Sequence, residues 1–567
     1  MRLSVRAMPA RLASLLLALS AAGPVVAAEA APEVTVLTAH AIHTLDAARP
    51  RARAMAFDAG GRILAVGDAE ALARRFPGAR DLDLGDATVV PGLIDAHAHV
   101  GGLGLATLTA DLVGTRDKAE VLQRLRDFAR DLPPGAWLLG RGWDQNDWPE
   151  KTYPTAADLD AAFPERAVWL ERIDGHASWA NSVAMRAVGR DLSGDWQPDG
   201  GRILRDAAGR PTGIFIDAAA ALVEDARPPL DEATAERALV LGMQAAVEHG
   251  LTGVHDAGIG LDQFKRYQRL ADRGALPLRI TAMAAGDGDA LDALCRDGLY
   301  SHPSGRLQMR TVKVYADGAL GSRGAALLAD YSDDPGNRGL MLTPPEGLHA
   351  VVRKARDCGV QVAAHAIGDR GNREVLQAYA DVLGDGAAGD HRWRIEHAQV
   401  LAPGDLPRLA GLGVIASMQP THATSDMPWA EDRLGPERIV GAYSWRQLRD
   451  SGARLALGSD FPVEPVDPRL GLHAAVTRAD AEGEPVGGWR PEEKLTAFEA
   501  LRGFTLDAAY AGFAEDTVGS LAVGKRADFV VLAEDPLAVP PARLRGLVVL
   551  ATYVDGEAVY TRAGHAD

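Results

Sequence analysis

The residues best suited to chemistry lie in segment 89–99, where an apolar run broken by Pro91-Gly92 ends in His97-Ala98-His99. Side chains alternate along an extended strand, so His97 and His99 would lie on the same face. Two imidazoles side by side at a strand end can bind one metal ion through nitrogen. Two polar histidines on a loop would give the same pattern, so the rest of the chain must decide between these interpretations.

Four later apolar stretches also end in a residue that can bind a metal, namely Lys313, His365, His397 and Asp460. Active sites of parallel barrels are built at the carboxyl ends of the strands. Buried charges are costly unless they are paired or coordinate a metal. Stability alone therefore does not explain why so many strands end in such residues.

The elements that must position these side chains alternate between apolar strands and helical stretches, which is the pattern of a parallel α/β fold. Helices are predicted over 233–248, 348–358 and 372–383. The pattern predicts a (β/α)8 TIM-like barrel. Its strands are predicted at 89–95, 251–255, 278–284, 310–315, 360–365, 392–397, 414–419 and 454–459.

Both ends of the chain are rich in short predicted strands with tight-turn signals such as Gly60-Gly61 and Asp555-Gly556. We expect residues 29–88 and 512–567 to form one small β-sandwich domain, with the barrel over 89–511. The gap between the first two barrel strands is too long for a plain connection. It predicts a large insertion, at about 105–230, that covers the barrel mouth.

The composition is that of an ordinary globular protein, with 47% hydrophobic and 24% charged residues. The net charge of -17 argues against a nucleic-acid partner, which would require a basic face. A small-molecule substrate fits better, and a homodimer is compatible with the sequence. The two cysteines, Cys295 and Cys358, are far apart in sequence, and we expect them to be free, buried thiols.

The N-terminus has the composition of a secretory signal peptide. Arg2, Arg6 and Arg11 precede an apolar stretch that ends in small residues near Ala28, where cleavage is expected. A single membrane anchor is the alternative, although the apolar run is short for a span. We expect residues 1–28 to be removed, leaving an exported periplasmic or extracellular protein without stable membrane insertion.

The chain resembles the amidohydrolase superfamily, and within it the family 3 branch of metal-dependent hydrolases that includes N-substituted formamide deformylase. The similarity covers nearly all of the mature chain, and the order of its motifs is more specific than any one of them. The matching stretches are Pro91-Gly-Leu-Ile-Asp-Ala-His-Ala-His99, Lys313-Val-Tyr-Ala-Asp-Gly-Ala-Leu-Gly-Ser-Arg-Gly324, Ala364-His-Ala-Ile-Gly-Asp369, Ile395-Glu-His-Ala-Gln399, Gly458-Ser-Asp-Phe-Pro462 and Gly519-Ser-Leu-Ala-Val-Gly-Lys-Arg-Ala-Asp528.

The resemblance implies one or two bound Zn²⁺ ions, with two favoured. By that resemblance His97, His99 and Asp460 bind one ion, and His365 and His397 bind the other.

Lys313 would bridge the two ions as a carbamate formed with CO₂. A free ammonium is repelled by metal cations, whereas a carbamate is an anionic oxygen ligand. The alternative for Lys313 is an ordinary salt bridge to Asp317 or Asp256.

The activity implied is hydrolysis of a carbon–nitrogen bond other than a peptide bond, in a small amide, N-acyl or N-formyl compound. A metal would lower the pKa of a bound water, and Asp460 would carry its proton to the leaving group. An ester or lactone hydrolase and a deaminase stay open as alternatives on the same barrel. A non-catalytic metal- or ligand-binding protein is less favoured, because Lys313 and Asp460 are both present.

Weaker candidates for substrate binding flank these motifs. They are Trp143, Asp144 and His176 in the insertion, Arg323 after the fourth strand and His422 after the seventh. The alternatives are packing within the insertion, pairing of Arg323 with nearby acids, and a loop-building role for His422. His255, on the second strand, is better interpreted as a core histidine than as a ligand.

Overall fold

The computed structural model describes residues 34–286, 288–384, 386 and 389–564. The expected signal peptide at 1–28 lies outside the described residues. Within the described ranges no helix has both the length and the apolar character needed to cross a membrane.

Eight parallel strands form a nearly closed barrel, which confirms the predicted (β/α)8 architecture. Neighbours in sequence are neighbours in the sheet from the first strand to the eighth. We number these strands β1 (Leu93–Ala98), β2 (Leu251–Ile259), β3 (Arg279–Ala285), β4 (Leu307–Tyr315), β5 (Gln361–Ala366), β6 (Arg394–His397), β7 (Ile415–Met418) and β8 (Leu455–Leu457).

The first predicted strand, 89–95, is divided in the structure. Thr88–Pro91 belongs to the sheet of the chain ends, and β1 begins only at Leu93. Gly92 separates the two strands, and a Cβ there would lie 2.1 Å from the Thr252 hydroxyl oxygen. The close approach of the Thr252 side chain to the backbone therefore requires glycine at this point.

The barrel closes between β8 and β1 through side chains and loop backbone. Asp95 accepts hydrogen bonds from the Ser459 hydroxyl at 2.6 Å and from the His97 amide at 3.1 Å. The Asp460 amide donates to the His97 carbonyl at 2.8 Å. This seam brings the end of β8 next to the two histidines of β1.

Helices surround the barrel, as expected for βα units. Asp231 caps the helix that follows the insertion by accepting a hydrogen bond from the Thr234 amide. The three helices predicted from sequence are present and begin slightly earlier than predicted. The helices that follow the barrel strands or close the fold are Glu232–Glu248, Leu261–Asp272, Asp289–Asp297, Pro345–Asp357, Asp369–Leu383, Leu406–Leu412, Pro420–Asp426, Ala430–Arg438, Trp445–Asp450, Pro468–Thr477, Ala497–Gly503 and Leu506–Ala511.

The two chain ends share a second, eight-stranded sheet. The strand Val34–His43 pairs with Arg51–Asp58 on one side, and with Arg80–Asp83 and then Thr88–Pro91 on the other. Thr88–Pro91 pairs with Phe529–Leu532, which joins the N-terminal strands to the C-terminal ones. The other strands are Ile63–Gly67, Val549–Val554 and Glu557–Thr561, with a helix at Ala69–Arg75.

The insertion folds around a six-stranded sheet of its own. An apolar cluster that includes Leu138, Trp143, Trp148 and Trp179 packs inside it. Its strands are Ala110–Asp111, Leu138–Trp143, Val168–Arg172, Ala177–Ala180, Gly201–Arg205 and Pro211–Asp217, and its helices are Lys118–Ala129, Ala156–Asp160, Ser182–Ala187 and Ala221–Glu224. The helix Val100–Ala106 precedes the insertion and packs against helix Glu232–Glu248 of the barrel.

The expectation of free, buried thiols is wrong. Cys295 and Cys358 form a disulfide and are half-buried. Cys295 lies on helix Asp289–Asp297 and Cys358 caps the C-terminus of helix Pro345–Asp357. Their separation of 63 residues hid this contact, because only the packing of two neighbouring barrel helices brings the two residues together.

We predict that a double variant, Cys295→Ser with Cys358→Ser, unfolds more easily than the wild type. The disulfide restricts the unfolded chain, and its loss should cost about 2–4 kcal/mol. Thermal unfolding of both proteins, with and without reductant, measures this effect. An unfolding midpoint that is equal in both proteins and insensitive to reductant would contradict it.

Candidate metal centre

Four imidazoles meet at the carboxyl end of the barrel. The ring centroids of His97 and His397 are 4.9 Å apart, and those of His365 and His397 are 4.6 Å apart. The ring of His99 lies 5.6 Å from that of His97. The residues that end β1, β5 and β6 in sequence therefore share one small volume.

Asp460 points its carboxylate at these rings. Its Oδ1 lies 3.2 Å from His99 Nε2 and 3.5 Å from His97 Nε2, yet it makes no hydrogen bond in the described part of the chain. Ligand atoms of His97, His397 and Asp460 all lie within 4.8 Å of one another. A metal ion between them would satisfy the buried, orphaned oxygen.

Lys313 borders the same volume, with Nζ 3.0 Å from His97 Nε2. Neither Asp317 nor Asp256, the salt-bridge partners that the sequence left open, pairs with Lys313. Asp317 accepts backbone hydrogen bonds from Ile367 and Gly368, and Asp256 accepts from the Tyr267 hydroxyl.

His365 is the least centred of the ligand candidates. Its Nε2 lies 3.4 Å from the Gly318 carbonyl oxygen and 3.7 Å from Asp317 Oδ1. The His365 ring thus lines the site, while its Nε2 faces the loop after β4.

A second layer of acceptors holds the ligand histidines. His97 Nδ1 lies 2.5 Å from Glu396 Oε2, His99 Nδ1 donates to the Ala257 carbonyl at 3.0 Å, and His397 Nδ1 donates to Gln419 Oε1 at 2.8 Å. An acceptor on Nδ1 leaves Nε2 free to bind a metal.

Glu396 and Gln419 were not assigned a role from sequence. Adjacent residues on a strand point to opposite faces, so the local pattern gives no reason to place Glu396 and His397 in one site. His397 has a φ of +73°, which breaks this alternation at the end of β6. Arg394 then fixes Glu396 through two nitrogens at 2.7 and 2.9 Å, and it also donates to His255 Nδ1.

Burial and neighbouring charges set the protonation of the cluster. Burial, followed by the ammonium of Lys313, lowers the pKa of His97 to about 4. Burial also lowers the pKa of Lys313 to about 8. For Asp460, burial alone would raise the pKa, but the facing imidazoles hold it well below its usual range. Neutral imidazoles around an ionised carboxylate are the ligand state that a divalent metal ion requires.

Two of the weaker candidates also reach the centre. The ring of His176 lies 5.1 Å from that of His365, and the ring of His422 stacks on His397 at 5.7 Å. Burial would lower the pKa of His176, but a hydrogen bond to Asp217 raises it to about 9. His422 Nε2 is buried without a hydrogen bond in the described chain, 3.8 Å from Asp460 Oδ2.

The other three candidates have structural partners instead. Trp143 is fully buried inside the insertion, and its indole donates to the Leu170 carbonyl. Asp144 pairs with Arg172, which is buried. These contacts favour packing of the insertion, which was the alternative given from sequence, over substrate binding.

Arg323 lies in the loop after β4 and also has a structural partner. It forms an ion pair with Asp333 at 2.9 Å. This is the pairing with a nearby acid that the sequence left open.

Comparison with known proteins gives one consistent family. Residues 81–560 match the model of the amidohydrolase family. The chain is 35% identical to YtcJ of Bacillus subtilis, whose name assigns it to the amidohydrolases, over 89% of this chain and 95% of that protein. It is 32% identical to N-substituted formamide deformylase of Arthrobacter pascens, over 92% and 97% of the two chains.

A solved structure agrees with these relatives. An uncharacterised metal-dependent hydrolase from Pyrococcus horikoshii superposes with a TM-score of 0.72 at 27% identity, covering 90% of this chain and 99% of its own.

We predict that Gln419→Met weakens zinc binding about 10–100-fold, because the variant removes the acceptor that orients His397. Competition with a chromophoric chelator measures the affinity. Gln123→Met is the matched control, since Gln123 is an exposed residue that contacts Asp127 on the insertion surface. Equal zinc affinity in both variants would contradict a supporting role for Gln419.

Proposed function

The chain belongs to the amidohydrolase family, and from that premise we propose that its metal centre hydrolyses a carbon–nitrogen bond, other than a peptide bond, in a small molecule. The observation that carries the proposal is the convergence of His97, His397 and Asp460 within 4.8 Å at the barrel mouth. Metal-dependent hydrolysis follows from the family, and the bond type is our inference.

We infer zinc as the metal, because imidazole and carboxylate ligands suit it. His97, His99 and Asp460 would hold one ion, and His365 and His397 would hold a second. When bound, zinc supplies a water of lowered pKa and polarises the carbonyl of the substrate.

Lys313 is proposed to bridge the ions as a carbamate. Its lowered pKa, to about 8, leaves part of the amine neutral near physiological pH, and the neutral amine is the form that reacts with CO₂. The Lys313 amine lies beside His97 Nε2, one of the nitrogens that would bind the metal.

Asp460 is proposed as the proton carrier. Its carboxylate is ionised, and with Oδ1 facing the ligand histidines, Oδ2 is left to accept a proton from the attacking water. Oδ2 can then pass the proton to the leaving nitrogen, and His422, 3.8 Å from Oδ2, lies where it can bind the substrate carbonyl.

Amide substrates are favoured by one relative. The name of N-substituted formamide deformylase states removal of a formyl group from nitrogen, and this chain covers 97% of that protein. Ester or lactone hydrolysis and deamination would use the same proton carrier and remain the alternatives.

Export is proposed from the N-terminal sequence, and the disulfide between Cys295 and Cys358 supports it, because structural disulfides persist in oxidising compartments. A periplasmic or extracellular enzyme acting on small molecules, without nucleic acid, fits the net charge of -17. A homodimer remains a proposal.

A chromogenic panel tests the bond type. The zinc-loaded protein is offered 4-nitroanilides carrying N-formyl and N-acetyl groups, 4-nitrophenyl acetate and adenosine. We expect turnover of the anilides, measured by release of 4-nitroaniline. Turnover of the ester alone, or release of ammonia from adenosine alone, would replace the proposal with the corresponding alternative.

The same panel tests Asp460. We predict that Asp460→Asn lowers kcat by about 100-fold or more, the usual size of a general acid–base contribution. Elemental analysis must show that the variant still holds metal, and Asp297→Asn, an exposed aspartate paired with Arg296, is the control. Near-normal turnover of metal-loaded Asp460→Asn would contradict this role.

A further inference from the structure

Asp217 ends the last strand of the insertion and reaches the barrel mouth. Its side chain is fully buried, and Oδ1 accepts a hydrogen bond from His176 Nδ1 at 2.7 Å. Its Oδ2 makes no hydrogen bond among the described residues. A carboxylate buried with one imidazole as its partner is costly, so its position calls for an explanation.

The loop after β4 leaves space for this carboxylate. A Cβ on Gly318 would lie 2.6 Å from Asp217 Oδ2, and a Cβ on Gly324 would lie at the same distance. Any side chain at either position would therefore collide with the carboxylate. The loop that follows Lys313 on β4 is thus shaped around a residue of the insertion.

His176 is fixed on several sides by these contacts. Its backbone amide donates to Asp174 at 3.0 Å, and its carbonyl accepts from the Asp217 amide at 2.9 Å. With Nδ1 bound to Asp217, Nε2 lies on the opposite edge of the ring. Within the described chain Nε2 makes no hydrogen bond, and the ring lies 5.1 Å from that of His365.

We propose that Asp217 is a positioning residue, which holds His176 so that Nε2 binds the substrate beside His365. The proposal rests on the hydrolytic function proposed above. The insertion then forms part of the active site, because His176 contacts the substrate and Asp217 holds His176 in place. The alternative is that Asp217 only anchors the insertion to the barrel.

A double-mutant cycle separates these roles. Acetohydroxamate, a small metal-binding amide analogue, is titrated into zinc-loaded protein by calorimetry. We expect His176→Ala and Asp217→Asn each to weaken binding about tenfold, the size of one charged hydrogen bond. Because Asp217 acts through His176, the double variant should bind as weakly as His176→Ala alone.

Additive effects of the two substitutions, or wild-type affinity in Asp217→Asn, would overturn the proposal. Asp206→Asn is the matched control, since it removes a carboxylate of the same insertion that pairs with Arg210 on an exposed turn. Thermal unfolding of each variant shows whether Asp217→Asn changes stability. Weakened binding in Asp217→Asn that persists undiminished in the His176→Ala background would indicate anchoring alone.

A steric variant tests the same idea without changing a polar group. Gly318→Ala should displace the Asp217 carboxylate and weaken acetohydroxamate binding about as much as Asp217→Asn. Gly404→Ala is its control, because a Cβ at Gly404 meets no atom within 4 Å. Wild-type affinity in Gly318→Ala would contradict the fixed position of the carboxylate.

Two outcomes distinguish a failure of the role inferred for Asp217 from a failure of the proposed hydrolytic function. If the wild type binds acetohydroxamate but hydrolyses none of the chromogenic substrates, the bond-type proposal fails and the binding cycle still decides the role of Asp217. If wild type and variants all fail to bind acetohydroxamate, the substrate position beside His365 is wrong, and the proposal for Asp217 falls with it.

Discussion

The carboxylate of Asp460, buried among imidazoles, is the constraint on which the rest of the site depends. Its side chain is only 8% exposed, and Oδ1 faces His97 and His99 without a hydrogen bond in the described chain. An unsatisfied buried acceptor is costly. A metal cation between the carboxylate and the imidazoles would satisfy it, so the binding of metal and the stability of the barrel mouth are linked.

The barrel closes next to the Asp460 carboxylate, and this closure fixes its position. Asp95 holds Ser459, and the Asp460 amide donates to the His97 carbonyl, so the seam between β8 and β1 fixes the carboxylate against the histidines. Gly458 allows the contact, because a Cβ there would lie 2.5 Å from Asp95 Oδ1. A φ of +64° at Asp460 then turns its side chain toward the centre. Ligand geometry and barrel closure therefore use the same few residues.

The sequence predicted the barrel strands and the polar residues that end them, because apolar runs that terminate in His, Lys or Asp are visible locally. It could not assign Glu396, whose partner His97 is 299 residues away, or Asp217, whose role depends on two glycines of a distant loop. Local pattern also missed the break at Gly92 and the disulfide, which arise from packing between elements. The substrate contacts stay predictions, since a buried tryptophan in the insertion and one lining a pocket have the same local sequence signal.

We propose that these residues hold a metal pair joined through Lys313. Elemental mass spectrometry of the purified mature protein, wild type and Lys313→Ala, tests it most directly. We predict about two zinc ions per chain in the wild type, falling to about one or fewer in the variant. One ion in both proteins would leave a single-metal site and give Lys313 a structural role. No metal in either protein, even after reconstitution, would contradict the metal centre itself.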